Sequence, residues 1–439
     1  MSNTASLKRT ERAPLSAAFT RQGIATAIAA LLLAVILVSF RPFDPAGVQL
    51  AGDSGDIVNQ AGFGILGAVS LFSLTTLTDG RVLRGLLSPS WMLMLGFFMF
   101  SVMMATDPAS AMRTASFTLI AMTAMATVLA LPKDADDFST VLIFAAVIVI
   151  GLSYIGLVIF PNAAMHTAES AEPEHAGLWR GVFTHKNIAG PVMACFSFAG
   201  LYLFRRGRRF WGAVIIVLAL NFVLHTGSKT TLALVPFSIL MVMLPGMIGL
   251  RFCTPILFVA AITVTALGTL GIVFLPPMKH LAASYFPHLT YTGRTTIWQF
   301  AGEMLADRPW TGYGYESFWG TPLLLNQGQP FDRAWDVRNI VHGHNGYLDI
   351  AVLMGIPAVC IATYTFVIAP ARDYLRIFPF KENIYLGDFF MMVVLFTSLN
   401  GFLESFFFRR ADPVWMFFVL GLFGLRQASR RSFVPRRAV

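Results

Sequence analysis

"VHGHNGYLDIAVLMGIPAVCIATYTFVIA", residues 341–369, opens on two histidines and an asparagine and then runs apolar to Ala369. A bilayer-spanning helix takes about 20 mostly apolar residues. The stretch therefore reads as a membrane helix with a polar mouth. The rest of the chain has the same character. Of its 439 residues, 56% are hydrophobic and 13% charged, and the mean hydropathy is +0.67. A soluble domain carries roughly 25% charged residues, so the composition reads as an all-α integral membrane protein. The net charge of +9 has no basic domain behind it and points to no nucleic-acid partner. It is scattered between apolar stretches, where it sets topology. Cys195, Cys253 and Cys360 lie in or beside apolar segments and offer neither a disulfide framework nor a metal-ligand spacing.

About twelve candidate spans follow from hydropathy: 22–40, 58–78, 88–106, 114–131, 140–160, 188–204, 210–226, 230–248, 254–275, 346–369, 386–403 and 412–425. The first is not read as a cleaved signal peptide, since its apolar run is too long and no small-x-small cleavage site follows it. The expected organisation is a cytoplasmic basic tail (1–21), then helices one to nine (22–275) with an outer loop at 161–187. A large extracytoplasmic loop (276–345), helices ten to twelve (346–425) and a second basic tail (426–439) complete it. With both termini in the cytoplasm, 20 of the 32 Lys and Arg fall inside, among them Lys8, Arg9, Arg12, "RRGRR" at 205–209, Arg436 and Arg437. Five of the other 12 lie in the one long loop, where the positive-inside rule is weak, so short loops divide 20 to 7.

This topology puts His166, His175, His185, His225, His280, His288, His342 and His344 on or near the outer side, with Trp179, Trp298, Trp310, Trp319 and Trp335. The cytoplasmic connections are short and leave no room for a nucleotide-binding domain. The chemistry is expected at the outer face, without ATP or a nucleotide sugar. Within the long loop, "GRTTIWQFAGEMLADRPW" (293–310) spaces Ile297, Ala301, Met304 and Leu305 as an amphipathic helix along the membrane surface, ended by Pro309. "GYGYESFWG" (312–320) reads as a glycine-rich turn with exposed aromatics, either an interfacial belt or a stacking platform for sugar rings.

The outer cations run against the topology rule and need a reason. Arg180, Lys186, Lys229, Arg294 and Arg338 would each be a solvated charge alone. Together around one cavity they suit a diphosphate, with Arg giving bidentate contacts and Lys a point charge. "GSKT" lacks the P-loop order and is rejected as one. His344 is the candidate general base, since an ordinary imidazole titrates close to working pH. Its bland reading is a polar cap on the next helix, and His342 is its competitor.

In order along the chain, "GVFTHKNIAG" (181–190), "SKTT" (228–231), "GRTTIW" (293–298), "RPWTGYGYESF" (308–318) and "HNGYLDIAVLMG" (344–355) resemble the O-antigen ligase and polysaccharide polymerase superfamily, most of all the succinoglycan-type exopolysaccharide polymerases. The resemblance implies a bacterial inner-membrane glycosyltransferase with its active site facing the periplasm. Its substrate would be an undecaprenyl-diphosphate-linked oligosaccharide, and it would need no metal or other cofactor. It implies His344 as base and Arg294 with Arg180 as diphosphate ligands. Lys229 stands where many relatives have Arg. Lys186, His185, Asn187 and Arg338 would line the substrate site, and Asn345 would orient His344 or bond the acceptor. A flippase and a chain-length regulator are the implied partners. Ligase activity toward lipid A core is the alternative. A twelve-helix transporter is a second one, faintly suggested by "TDGRVLRG" at 78–85 but without an internal repeat.

Overall fold

Aspartate and proline set many of the helix starts. Asp107 accepts the amides of Ala109 and Ser110 ahead of Pro108 at the first helical position, and Asp412 accepts those of Val414 and Trp415 ahead of Pro413. Asp56 and Asp134 cap two more helices in the same way. A carboxylate at this point satisfies amides that have no partner inside the helix, and proline has no amide to satisfy. The intervening sequence is then apolar enough to run on as a helix.

The computed structural model describes residues 20–43, 56–86, 88–169, 172–285, 291–326 and 336–435. Lys8, Arg9, Arg12, His288, Trp335, Arg436 and Arg437 lie outside the described residues. The protein is 76% helical, with no strand among the described residues, and is an all-α integral membrane protein. Eight of the twelve expected spans coincide with helices long and apolar enough to cross a membrane: Arg21–Val38, Ile57–Thr76, Pro108–Ala130, Ala135–Ile159, Lys186–Arg205, Lys229–Met247, Arg251–Phe274 and Lys381–Asn400. The other four are short or interrupted. Pro89–Met103 is bent by 65° from Gly80–Leu86. Arg209–His225 and Pro413–Ala428 have 17 and 16 residues. The span opened by His344 is broken in two, Gly346–Met354 and a second helix from Ile356.

The helices sort the charges into two ends. At one end, Gln22 bonds the Leu131 carbonyl and Asp137, and the Ala135 amide bonds the Phe433 carbonyl. The start of the first helix and the end of the last therefore share a side. Several of the basic residues there are paired. Arg205 and Arg251 both reach Asp388 (2.8 and 3.1 Å), and Arg206 reaches Asp136 and Glu382 (2.8 and 3.3 Å). The starts of Lys186–Arg205, Lys229–Met247 and Gly346–Met354 gather at the opposite end.

The break at Gly355 obeys a strict rule. Backbone groups freed at membrane depth need partners from protein. Here "GYG" supplies them. The amides of Tyr313 and Gly314 donate to the carbonyls of Val352 and Leu353, and the Ile356 amide donates to Pro309. The Ser101 hydroxyl also donates to Leu353. The aromatics of this loop are therefore not a stacking platform. Tyr313, Tyr315 and Phe318 are buried, and the two hydroxyls donate to the carbonyls of Met304 and Phe408. Trp310 alone of this set stays well exposed, at 73%. The Arg294–Asp307 helix also departs from expectation. It buries Ile297, Trp298, Phe300 and Ala301 in a second core with Leu348, Ala351 and Val352, so its apolar face meets protein.

Gly355 has φ +83° and ψ 168°, a region closed to side chains, and a Cβ there would lie 2.3 Å from the Trp310 carbonyl oxygen. Such a residue costs about 1–3 kcal/mol before any clash. Gly355→Ala should lower the thermal midpoint of the detergent-solubilised protein by several degrees. Gly64→Ala, where a Cβ meets nothing within 4 Å, should leave it unchanged or raise it slightly.

Candidate functional site

Beyond Asn400 the chain loops back to Pro413, and Glu404 lies in that loop. Three segments far apart in sequence send side chains to its carboxylate. Arg294 Nη2 is 3.1 Å from Oε1, and Arg294 Nη1 donates to the adjacent Leu403 carbonyl. Asn187 Nδ2 donates to the same Oε1 at 3.3 Å. His344 Nδ1 stands 3.8 Å from Oε2, beyond hydrogen-bond length but well within Coulomb reach. Burial pushes the Glu404 carboxyl up, yet His344 and Arg294 beside it outweigh this and hold it below the ordinary 4.5.

The "HGHNG" backbone is shaped for this contact. Asn345, fully buried, caps the Gly346–Met354 helix. Its Oδ1 accepts the Leu348 amide, its Nδ2 donates to the Phe402 carbonyl, and its own amide donates to the Ser405 hydroxyl. The Gly346 amide bonds the Gly401 and Glu404 carbonyls. Asn345 thus ties the helix start to the Glu404 loop and orients His344 through the backbone. His344 itself has φ +49°, a conformation uncommon outside glycine. Its ring lies 4.1 Å from that of His342, centroid to centroid, and both Nδ1 atoms are buried without a hydrogen-bond partner. Burial, with His344 next, pushes the His342 imidazole well below its ordinary value, so it is neutral at pH 7.

The other expected residues divide. His185 caps the Lys186–Arg205 helix, its Nδ1 accepting the Asn187 amide and its Nε2 facing Glu172 at 2.7 Å. Lys186 is 9% exposed, and its amide donates to His166 Nε2. Lys229 is exposed in the first turn of its helix. A Cβ on Gly190 would lie 3.2–3.5 Å from Thr231, Thr226 and Ser228, so this glycine lets the "HKNIAG" and "TGSKTT" motifs pack together. Arg180 is 4% exposed, and its guanidinium donates to the Phe183 and Phe43 carbonyls, so it braces the backbone of the 161–187 segment. Arg338 forks onto Asp336 two residues away (2.7–3.2 Å), a local and partly exposed pair.

Residues 214–363 match a protein-family model described as O-antigen ligase. That match supports the resemblance of the chain to the O-antigen ligase and polymerase superfamily. The matched stretch holds Lys229, Arg294 and His344, while Asn187 and Glu404 flank it on either side. Members of the O-antigen ligase family are membrane ligases and polymerases of the glycosyltransferase type. No curated protein matches the chain. Glu404 was missed by sequence reading because hydropathy carries the preceding span to 403 and leaves it as a boundary residue. The signal was present: an acid in "LESFFFRR", an aromatic turn where a charge needs a reason.

Linkage gives a pH test. A carboxyl held below its ordinary value stabilises the fold above about pH 4.5 and loses that contribution as pH falls through its folded value. Glu404→Gln should unfold at lower temperature than wild type at pH 7, and the gap should narrow as the pH falls below 4.5. A constant gap across that range would mean that the charge of Glu404 contributes nothing.

Proposed function

We propose that the protein polymerises undecaprenyl-diphosphate-linked oligosaccharide repeat units into exopolysaccharide at the periplasmic face of the bacterial inner membrane. The observation that carries this reading is the meeting of Arg294 and His344, from separate motifs, at Glu404. In the reaction an acceptor hydroxyl attacks the anomeric carbon of the donor. The bond from that carbon to the diphosphate oxygen breaks, and the lipid diphosphate leaves with the electron pair. His344 accepts the hydroxyl proton. Glu404 favours the imidazolium that forms, at the distance where a hydrogen bond would close with a small movement. Arg294 meets the charge that grows on the leaving diphosphate. Lys229 and Lys186 add point charges at neighbouring helix starts, and the helix dipoles favour an anion there. A flippase delivering the donor and a chain-length regulator are the expected partners.

The description of the matching family favours a second reading, transfer of finished polymer to lipid A core. Lipid-linked sugars from a deletion strain separate the two. A single lipid-linked repeat without polymer supports polymerisation. Full-length polymer held on the carrier supports ligation.

Two predictions follow at the residue level, read as polymer formed at equal membrane abundance. Arg294→Ala should cost roughly tenfold to a hundredfold, the loss of one charge-assisted contact, and Arg294→Lys should recover only part because a point charge replaces a fork. His344→Ala should cost about 10²–10⁴-fold, and His342→Ala less. An inactive His342→Ala beside an active His344→Ala would reassign the base. For the orientation, single cysteines at Lys279 and Arg430 in a cysteine-free background should differ. An impermeant maleimide added to cells with a permeabilised outer membrane should label the first and not the second.

A further inference from the structure

We propose that Glu172, His175 and His185 form a binding site for a divalent transition-metal ion of the zinc type. The three groups lie on the outer segment between the Ala135–Ile159 and Lys186–Arg205 helices. Glu172 Oε2 is 2.7 Å from His185 Nε2 and 3.4 Å from His175 Nε2, and all three ligand atoms lie within 4.8 Å of one another. Zinc takes nitrogen and oxygen donors at about 2.0–2.2 Å in a tetrahedron, which sets such donors roughly 3.3 Å apart. Small side-chain rotations bring this set to that spacing. The backing is rigid. The buried His166 ring packs edge-on against His185 and His175, with centroids 4.8 and 5.8 Å away, and its Nε2 is held by the Lys186 amide. His166 is a wall of the site and not a ligand. The other side is open, because Glu172 is exposed, which leaves a fourth position for water. Two imidazoles and one carboxylate suit zinc-type ions and not magnesium or calcium, which prefer all-oxygen shells.

Loading the site moves one proton. His185 Nδ1 accepts the Asn187 amide, so the ring proton lies on Nε2, toward Glu172. A metal ion takes the Nε2 lone pair, the proton shifts to Nδ1, and the Asn187 amide loses that acceptor. Occupancy is thereby coupled to the first turn of the helix whose Asn187 side chain reaches Glu404. The ion would staple the outer segment to that helix, one side chain away from the Glu404 cluster.

The test uses tag-free full-length protein in detergent, stripped with a chelator and titrated with zinc chloride against a competing dye. Wild type should retain one zinc ion per chain, undisplaced by excess magnesium. His175→Ala and Glu172→Gln should each weaken binding at least about tenfold, with unchanged elution on gel filtration. His280→Ala, an exposed histidine elsewhere, should bind as wild type. No zinc on wild type, wild-type affinity in His175→Ala, or equal loss in His280→Ala would each overturn the proposal. His175 is partly exposed in a three-residue turn, so its variant decides the matter even where Glu172→Gln fails to fold.

Discussion

A carboxylate at the end of an apolar helix bundle must be met by donors and cations, and Glu404 imposes that demand on this protein. Its partners come from the starts of three helices: Asn187 at Lys186–Arg205, Arg294 at Arg294–Asp307, and His344 just ahead of Gly346–Met354. The pairing also fixes distances between elements that share no covalent neighbour. Arg294 and Glu404 side chains are 20% and 19% exposed, against 41% and 30% for Arg338 and Asp336. An exposed pair is worth about 0–1 kcal/mol. Removing one member of an enclosed pair costs more, because the other charge stays behind without its partner. Loss of the Glu404 cluster would therefore cost more than loss of the Arg338–Asp336 pair.

The second constraint is the helix break at Gly355. A span interrupted at this depth survives only because the "GYG" loop donates amides to the carbonyls it frees. The same loop packs Tyr313 and Phe318 into the core that carries the Arg294–Asp307 helix. Arg294 and His344 are thus positioned by one packed unit, in which the aromatics are structural. This explains why residues suited by type to sugar stacking are enclosed here.

Around the cluster the chemistry is graded by enclosure. Glu404 is held ionised, and His342 is held neutral. The Nδ1 atoms of His342 and His344 are buried without a hydrogen-bond partner among the described residues. Polar atoms without partners are costly in a stable interior. Their presence beside a paired arginine and carboxylate fits the proposed substrate site.

Much of the fold was legible in the sequence. Apolar length marked a helix at every one of the twelve candidate spans, because burial in hydrocarbon demands internally satisfied backbone and leaves a helix as the solution. The basic clusters marked one end of the bundle, and the motifs contributed Arg294, His344 and Asn187 to the Glu404 cluster. Hydropathy could not see the break at Gly355, since a glycine in an apolar run looks the same whether or not a distant loop replaces its hydrogen bonds. It could not see that Arg180 braces backbone while Arg294 faces a carboxylate, since the residue type is the same at both positions. It passed over Glu404 as a span boundary, and it gave no reason to join Glu172 to His185 across the turns between them. Residue type and local spacing are written in the chain. Which polar atoms find partners, and which are left for a ligand, depends on contacts between residues far apart in sequence, and only the packed bundle decides that.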